Sequence, residues 1–126
     1  MGKQYLMDTN AVIDYLDNKL PDKSADFIDG IVQQISVITR MELLSWQNAT
    51  SKQIKVLQDF INRSVVFGLE ENIILKTIEL RMKYKIKLPD AIIAATALCY
   101  NMTLITRNSE DFQIIKELKI INSWKL

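Results

Sequence analysis

Histidine is absent from this 126-residue sequence, and Cys99 is its one cysteine. Without imidazole the chain has no use of the commonest general base, the commonest zinc ligand, or any Ser–His or Cys–His nucleophile. Acid–base work falls to Asp, Glu, Lys, Tyr or a metal-bound water. A lone cysteine closes no intramolecular disulfide, which is compatible with a reducing compartment. Glycine and proline are scarce, at three and two residues, and leave little room for long linkers. A strong charge of either sign is also missing. Sixteen basic residues against fifteen acidic ones give +1, so any basic surface for a polyanion must be local. Long hydrophobic runs are lacking as well. Tyr5-Leu6-Met7 is cut by Asp8, and the stretch from Ala91 to Tyr100 is interrupted by Thr96. Both fall short of the roughly 20 residues a bilayer needs. Neither a signal peptide nor a membrane contact is expected, and the expected location is the cytosol.

What is present is an ordinary globular composition, 48% hydrophobic and 25% charged. The length suits one domain over residues 1–126 with a core of its own. Short β-branched or apolar runs alternate with helical patterns. That alternation predicts an α/β fold, with a largely parallel sheet of four or five strands and helices on both faces. Strands are expected at Tyr5–Asp8, Gln34–Ile38, Val65–Phe67, Met102–Thr106 and Lys119–Asn122. Helices are expected from Asn10 to Leu20, from Thr39 through Trp46, at 51–62, 70–85 and 88–100, and from Asp111 to Leu118. The apolar residues Val12, Ile13, Leu16 and Leu20 illustrate the helical spacing.

The acids fall at telling places. Asp8 ends the first strand, Glu42 lies just after the second, Asp90 opens a helix, and Asp111 follows the fourth. Ligands of open α/β sheets bind at the carboxyl ends of the strands, so four acids distant in sequence can meet at one edge. Clustered carboxylates repel unless a cation joins them, and hard oxygen ligands suit Mg²⁺ or Mn²⁺. Such ions acidify water and steady the charge of phosphoryl transfer, often as a pair about 3.5–4 Å apart. Each acid also has a plainer reading. Thr39 and Glu42 have the spacing of a capping box. Asp90 beside Pro89 suits any helix N-terminus, and Asp111 or Asp8 can serve as an N-cap.

Four blocks carry a resemblance. They are Asp8-Thr9-Asn10 after an apolar strand; Ser36-Val37-Ile38-Thr39-Arg40-Met41-Glu42-Leu43; Leu88-Pro89-Asp90-Ala91-Ile92-Ile93-Ala94-Ala95; and Leu104-Ile105-Thr106-Arg107-Asn108 with Asp111-Phe112. In this order and across nearly the whole chain they resemble the motifs of PIN domains, and most closely those of VapC-type toxins of toxin–antitoxin pairs. The resemblance implies a three-layer α/β/α fold and a Mg²⁺- or Mn²⁺-dependent endoribonuclease. Asp8 and Asp90 would be core metal ligands, and Glu42 would ligate or orient the water. Asp111 would be the fourth acid, with Glu110 in reserve because Asn108 stands where some members have Asp. Thr9, Asn10, Thr106 and Asn108 would support the acids. A cognate antitoxin protein and a homodimer are implied too, with RNA as substrate.

RNA phosphates need cations. Arg40 and Arg107 flank the acids and are the candidates. The run Arg81, Lys83, Lys85, Lys87 reads more simply as a solvated face, and Met7, Met41, Met82 and Met102 as core filler. Alternatives stay open: a housekeeping PIN-domain nuclease, a catalytically silent PIN-like binding module, or an aspartyl phosphatase. The last usually wants a second acid two residues after Asp8, where Asn10 stands.

Overall fold

The computed structural model describes residues 2–126. In chain order the elements are β1 (Gln4–Met7), α1 (Thr9–Leu16), α2 (Asp22–Asp29), β2 (Gln34–Ser36), α3 (Val37–Leu44), α4 (Ser51–Arg63) and β3 (Val65–Phe67). They continue with α5 (Glu71–Lys83), α6 (Leu88–Cys99), β4 (Met102–Thr106), α7 (Ser109–Phe112), β5 (Ile120–Asn122) and a closing 3₁₀ turn at Ser123–Lys125. The α/β alternation predicted from the pattern is present, and every strand pairing is parallel.

The strands form two hydrogen-bonded ladders, β1-β4-β5 and β2-β3. β2 lies against β1, and a side chain joins them. Gln34 Nε2 donates to the Tyr5 carbonyl at 3.1 Å and to Gln4 Oε1 at 2.9 Å. The spatial order is therefore β3-β2-β1-β4-β5. The chain leaves β1 toward β2 on one side and leaves β4 toward β5 on the other. The seam between β1 and β4 is thus the topological switch point, where such sheets open a crevice.

Strand side chains alternate between faces, and two apolar clusters follow. Leu6 and Leu104 pack with Ile73 and Leu80 of α5 and with Ile93 and Ala94 of α6. Met7 and Ile105 pack with Val12 of α1, Leu43 of α3, and Leu57 and Phe60 of α4. Helices cover both faces, which makes a three-layer α/β/α sandwich. Helix α6 is buried without a break from Ala91 to Ala97, and its alanines let it approach the sheet closely. Pro89 stands in its first turn, where a missing N–H costs nothing.

Several expected boundaries move by two residues or more. The second strand ends at Ser36 rather than Ile38, because the Ser36 hydroxyl accepts from the Ile38 amide at 3.1 Å and starts α3 early. The Ser36 cap overrides the β preference of Val37 and Ile38. The first helix stops at Leu16, and Asn18 beyond it takes a left-handed φ of 57°, which Asn tolerates. The expected helix at 111–118 is the single turn Ser109–Phe112. Two i→i+3 turns follow it and bury Ile115 and Leu118.

The Gln34 bridge yields a first prediction. Gln34→Ala removes the only side-chain hydrogen bonds between the ladders among the described residues and strands the Tyr5 carbonyl. Loss of such bonds with a buried partner left unmade costs about 1–3 kcal/mol. The urea midpoint should fall accordingly; an unchanged midpoint would show that apolar packing alone holds β2 to β1.

Candidate active site

Asp8 follows β1 directly, and its backbone amide donates to the Ile105 carbonyl of β4 at 2.9 Å. Asp8 is 6% exposed, and both its carboxylate oxygens accept hydrogen bonds. Oδ1 accepts from the Thr9 amide at 2.8 Å, which caps α1. Oδ2 accepts from the Thr106 hydroxyl at 2.8 Å and from Asn10 Nδ2 at 3.1 Å. Thr106 lies at the end of β4, so this bond crosses the switch point. Burial pushes the Asp8 carboxyl above its ordinary pKa. The bonds from Thr106, Thr9 and Asn10 pull it back, while the nearby charge of Glu42 adds to the rise.

Asp90 is half-buried in the first turn of α6. Its pKa is also raised, first by burial and then by the carboxylates of Asp8, Asp111 and Glu42. Asp8, Asp111 and Glu42 thus lie near enough for their charges to act on Asp90. Asp111 is exposed in the short α7 and donates its amide to the Asn108 carbonyl at 3.1 Å. Glu110 is exposed one residue before it.

Glu42 is exposed on α3, and its Oε1 accepts from the Thr9 hydroxyl at 2.5 Å. Thr9 Oγ1 also lies 3.1 Å from Thr39 Oγ1. The capping-box reading of Thr39 and Glu42 is thereby corrected. Ser36 caps α3, Thr39 turns inward to Thr9, and the Glu42 carboxylate is held by a neighbouring helix. The chain's capping box is at Thr50 and Gln53 instead.

Asn108 acts through its backbone, whose amide donates to Thr106 Oγ1 at 3.0 Å. The Arg107 guanidinium turns away from the acids. Its Nη1 binds both carboxylate oxygens of Asp14 at 3.1 Å, while the Arg107 amide donates to Asn10 Oδ1 at 2.9 Å. Arg40 is exposed on α3 and forms no ion pair with any described residue. Asp14, which also accepts from the Trp124 indole N–H at 3.0 Å, escaped the sequence reading. Its one signal was its place four residues after Asn10, on the same face of α1.

The donor set is all carboxylate and hydroxyl oxygen, which fits a hard divalent cation. Two of the acids carry raised pKa values that a cation would relieve. Among the described residues no three acids are close enough to hold one ion as they stand. Beside Glu42 runs an apolar groove of about 560 Å³ between α1, α3 and α4, lined by Ile13, Leu16, Trp46, Val56 and Leu57. No described helix is long and apolar enough to cross a membrane.

The family profile described as the PIN domain matches residues 5–118. Among solved structures, a toxin–antitoxin complex from Klebsiella pneumoniae contains a chain 29% identical to this one. Its TM-score is 0.77, and the match covers 98% of this chain and 100% of that one. VapBC-1 from nontypeable Haemophilus influenzae gives 28% identity and a TM-score of 0.80, with coverage of 96% and 98%. DNA-bound VapBC from Salmonella typhimurium shares the fold with a TM-score of 0.85 at 23% identity, covering 97% and 99%. No curated protein sequence is a significant match.

Two predictions follow from the acids. Raised carboxyl pKa values mean that the fold holds these protons more tightly than the unfolded chain does. The stability they contribute is therefore full below the unfolded carboxylate pKa of about 4 and lost as pH rises through the raised folded values. Asp90→Asn removes one repelling charge. Without divalent ions and at neutral pH, its Tm should exceed that of the wild type by roughly 2–4 °C. That is what a solvent-screened repulsion of under about 1 kcal/mol gives a domain of this size. The gap should close at acid pH; a lower Tm for the variant would refute the repulsion. Thr106→Val removes the strongest hydrogen bond opposing the rise at Asp8, so the Asp8 carboxyl should titrate higher still. Carbon-13 NMR titration reads this directly, and an unmoved or lowered midpoint would contradict the arrangement.

Proposed function

The chain belongs to the PIN-domain family, and on that premise we propose that it is a divalent-metal-dependent endoribonuclease acting as the VapC-type toxin of a toxin–antitoxin pair. What supports the reading is the Thr106–Asp8 bond across the switch point, the Thr9–Glu42 bond beside it, and the charges of Asp8, Glu42 and Asp111 acting on Asp90, in a histidine-free chain. Its biological half is supported by the likeness, over nearly the whole chain, to proteins solved in toxin–antitoxin complexes.

In this proposal Asp8 and Asp90 are the principal holders of Mg²⁺ or Mn²⁺, with Glu42 and Asp111 completing the set. When bound, the ion supplies acidified water and offsets the charge that develops on the phosphate oxygens. The rest is the chain's own work. Thr106 and Asn10 aim the Asp8 carboxylate, and Thr9 holds Glu42 in range of it. Of Arg40 and Arg107, Arg40 is free to meet an RNA phosphate, while Arg107 is held by Asp14.

An active ribonuclease in the cytosol, its proposed location, needs restraint by a protein inhibitor. The apolar groove that includes Glu42 and Trp46 suits an amphipathic segment of such an antitoxin. An inhibitor arginine reaching the acids would form strong charge-assisted bonds. A homodimer belongs to the same proposal. It is supported by Leu75, Ile78 and Met82, which stand exposed at helical spacing on α5, since contiguous exposed apolar patches mark interaction surfaces.

Cleavage of RNA should stop in chelator and return with Mg²⁺ or Mn²⁺. Asp8→Asn and Asp90→Asn should each lower it by more than about 100-fold, beyond the 10–100-fold typical of losing a ligand's supporting partner. Full cleavage in chelator or in either variant refutes the mechanism; a metal-binding chain that cleaves no RNA would be a binding module. Expression alone should arrest growth, and co-expression with the cognate partner should restore it. Asp8→Asn should lose toxicity yet keep most of its partner affinity, because the groove extends well beyond the acids. Harmless expression of an active wild-type chain would leave a housekeeping nuclease.

A further inference from the structure

Asp14 is an aspartate 2% exposed that the proposed chemistry does not use. All its partners come from distant parts of the chain. Arg107 Nη1 lies 3.1 Å from each carboxylate oxygen, and the Trp124 indole N–H donates to Oδ2 at 3.0 Å. Asp14 and Asn10 lie one turn apart on α1, on the same face. Together they grip one residue: Asn10 takes the backbone amide of Arg107, and Asp14 takes its guanidinium.

That grip falls on the turn that matters. Thr106, just before Arg107, donates to Asp8, and Asn108, just after it, donates its amide back to Thr106 Oγ1. Asn108 is also the N-cap of α7, which carries Asp111. If the turn drifts, Asp8 loses its strongest donor and Asp111 leaves the cluster. The turn cannot drift without leaving the Asp14 carboxylate buried and uncompensated, a strongly disfavoured state. Trp124 closes the remaining side, so the 3₁₀ turn after β5 takes part.

We infer that Asp14 is a positioning residue for the acid cluster: through Arg107 it fixes the Thr106–Asn108 turn, and with it Asp111, relative to Asp8. The inference rests on the reading of the acids as a metal-dependent catalytic centre, but its geometry can be tested apart from that reading. It also assigns Arg107 a role opposite to that of a phosphate ligand, and the two roles have different signatures.

The test compares Asp14→Asn, Arg107→Met and the double variant. The double variant leaves no buried charge and keeps the comparison possible if a single variant folds poorly. Backbone amide exchange, followed by NMR without metal, should accelerate about 10-fold or more at residues 107 and 108 in each variant and stay unchanged in β1 and the core of β4. Mn²⁺ affinity, measured by electron paramagnetic resonance, should weaken about 10–100-fold, the usual cost of losing a supporting partner. With RNA, kcat should fall while KM holds, and the double variant should be no worse than the worse single one. Wild-type exchange and Mn²⁺ affinity in Asp14→Asn overturn the inference. So does a raised KM with a flatter salt dependence confined to Arg107→Met, which would make Arg107 a phosphate ligand. A wild-type chain that cleaves no RNA would contradict the nuclease reading only, and the exchange arm would still decide the role of Asp14.

Discussion

The hydrogen bond from Thr106 to Asp8 joins the ends of β4 and β1 at the one seam where the sheet's connectivity reverses. Most of the site depends on it. A carboxylate as buried as Asp8 is costly to charge, and three donors are needed to keep it poised. Each donor belongs to a backbone segment that also places something else. Thr106 leads into the turn before Asp111, Asn10 reaches the Arg107 amide, and Thr9 carries the hydroxyl that holds Glu42. One buried carboxylate thus gathers three segments separated by up to about a hundred residues of chain.

The second constraint is repulsion. Burial and like charges raise Asp90 as well as Asp8, and among the described residues no three acids close into a ligand set by themselves. A site of this kind is costly to the fold alone and gains when a cation arrives, because a ligand that binds only the folded state stabilises it. Helix packing holds the acids against that repulsion. α6 is pressed on the sheet by an unbroken apolar run, so Asp90 cannot retreat without uncovering core.

Much of this was legible in the sequence, for identifiable reasons. The strands Val65–Phe67 and Met102–Thr106 stand where β-branched runs met clear breakers, and α6 stands where the longest apolar run began after Pro89. The places of Asp8 after β1 and Asp90 in the first turn of α6 were legible because strand ends and helix starts are marked by breakers in the sequence. Less legible were features set by tertiary contact. The start of α3 at Val37 depends on the Ser36 cap and overrides a β-branched run. The bridge from Gln34 to β1 and the turn of Thr39 toward Thr9 leave no periodic trace. Arg107 read as a phosphate ligand because it neighbours the acids in sequence, but its side chain binds Asp14, which lies 93 residues away. A buried aspartate within an amphipathic helix looks like a surface residue until its partners are placed.

On the proposed function, four carboxylates distant in sequence serve one divalent-metal centre. Titration of the ¹⁵N-labelled chain with trace Mn²⁺ tests it most directly, because paramagnetic broadening falls off steeply with distance from the ion. Amides around Asp8, Glu42, Asp90 and Asp111 should broaden together along one saturable curve, and excess Mg²⁺ should reverse it. Broadening scattered over the surface acids, or confined to one of these four segments, would contradict a shared metal centre.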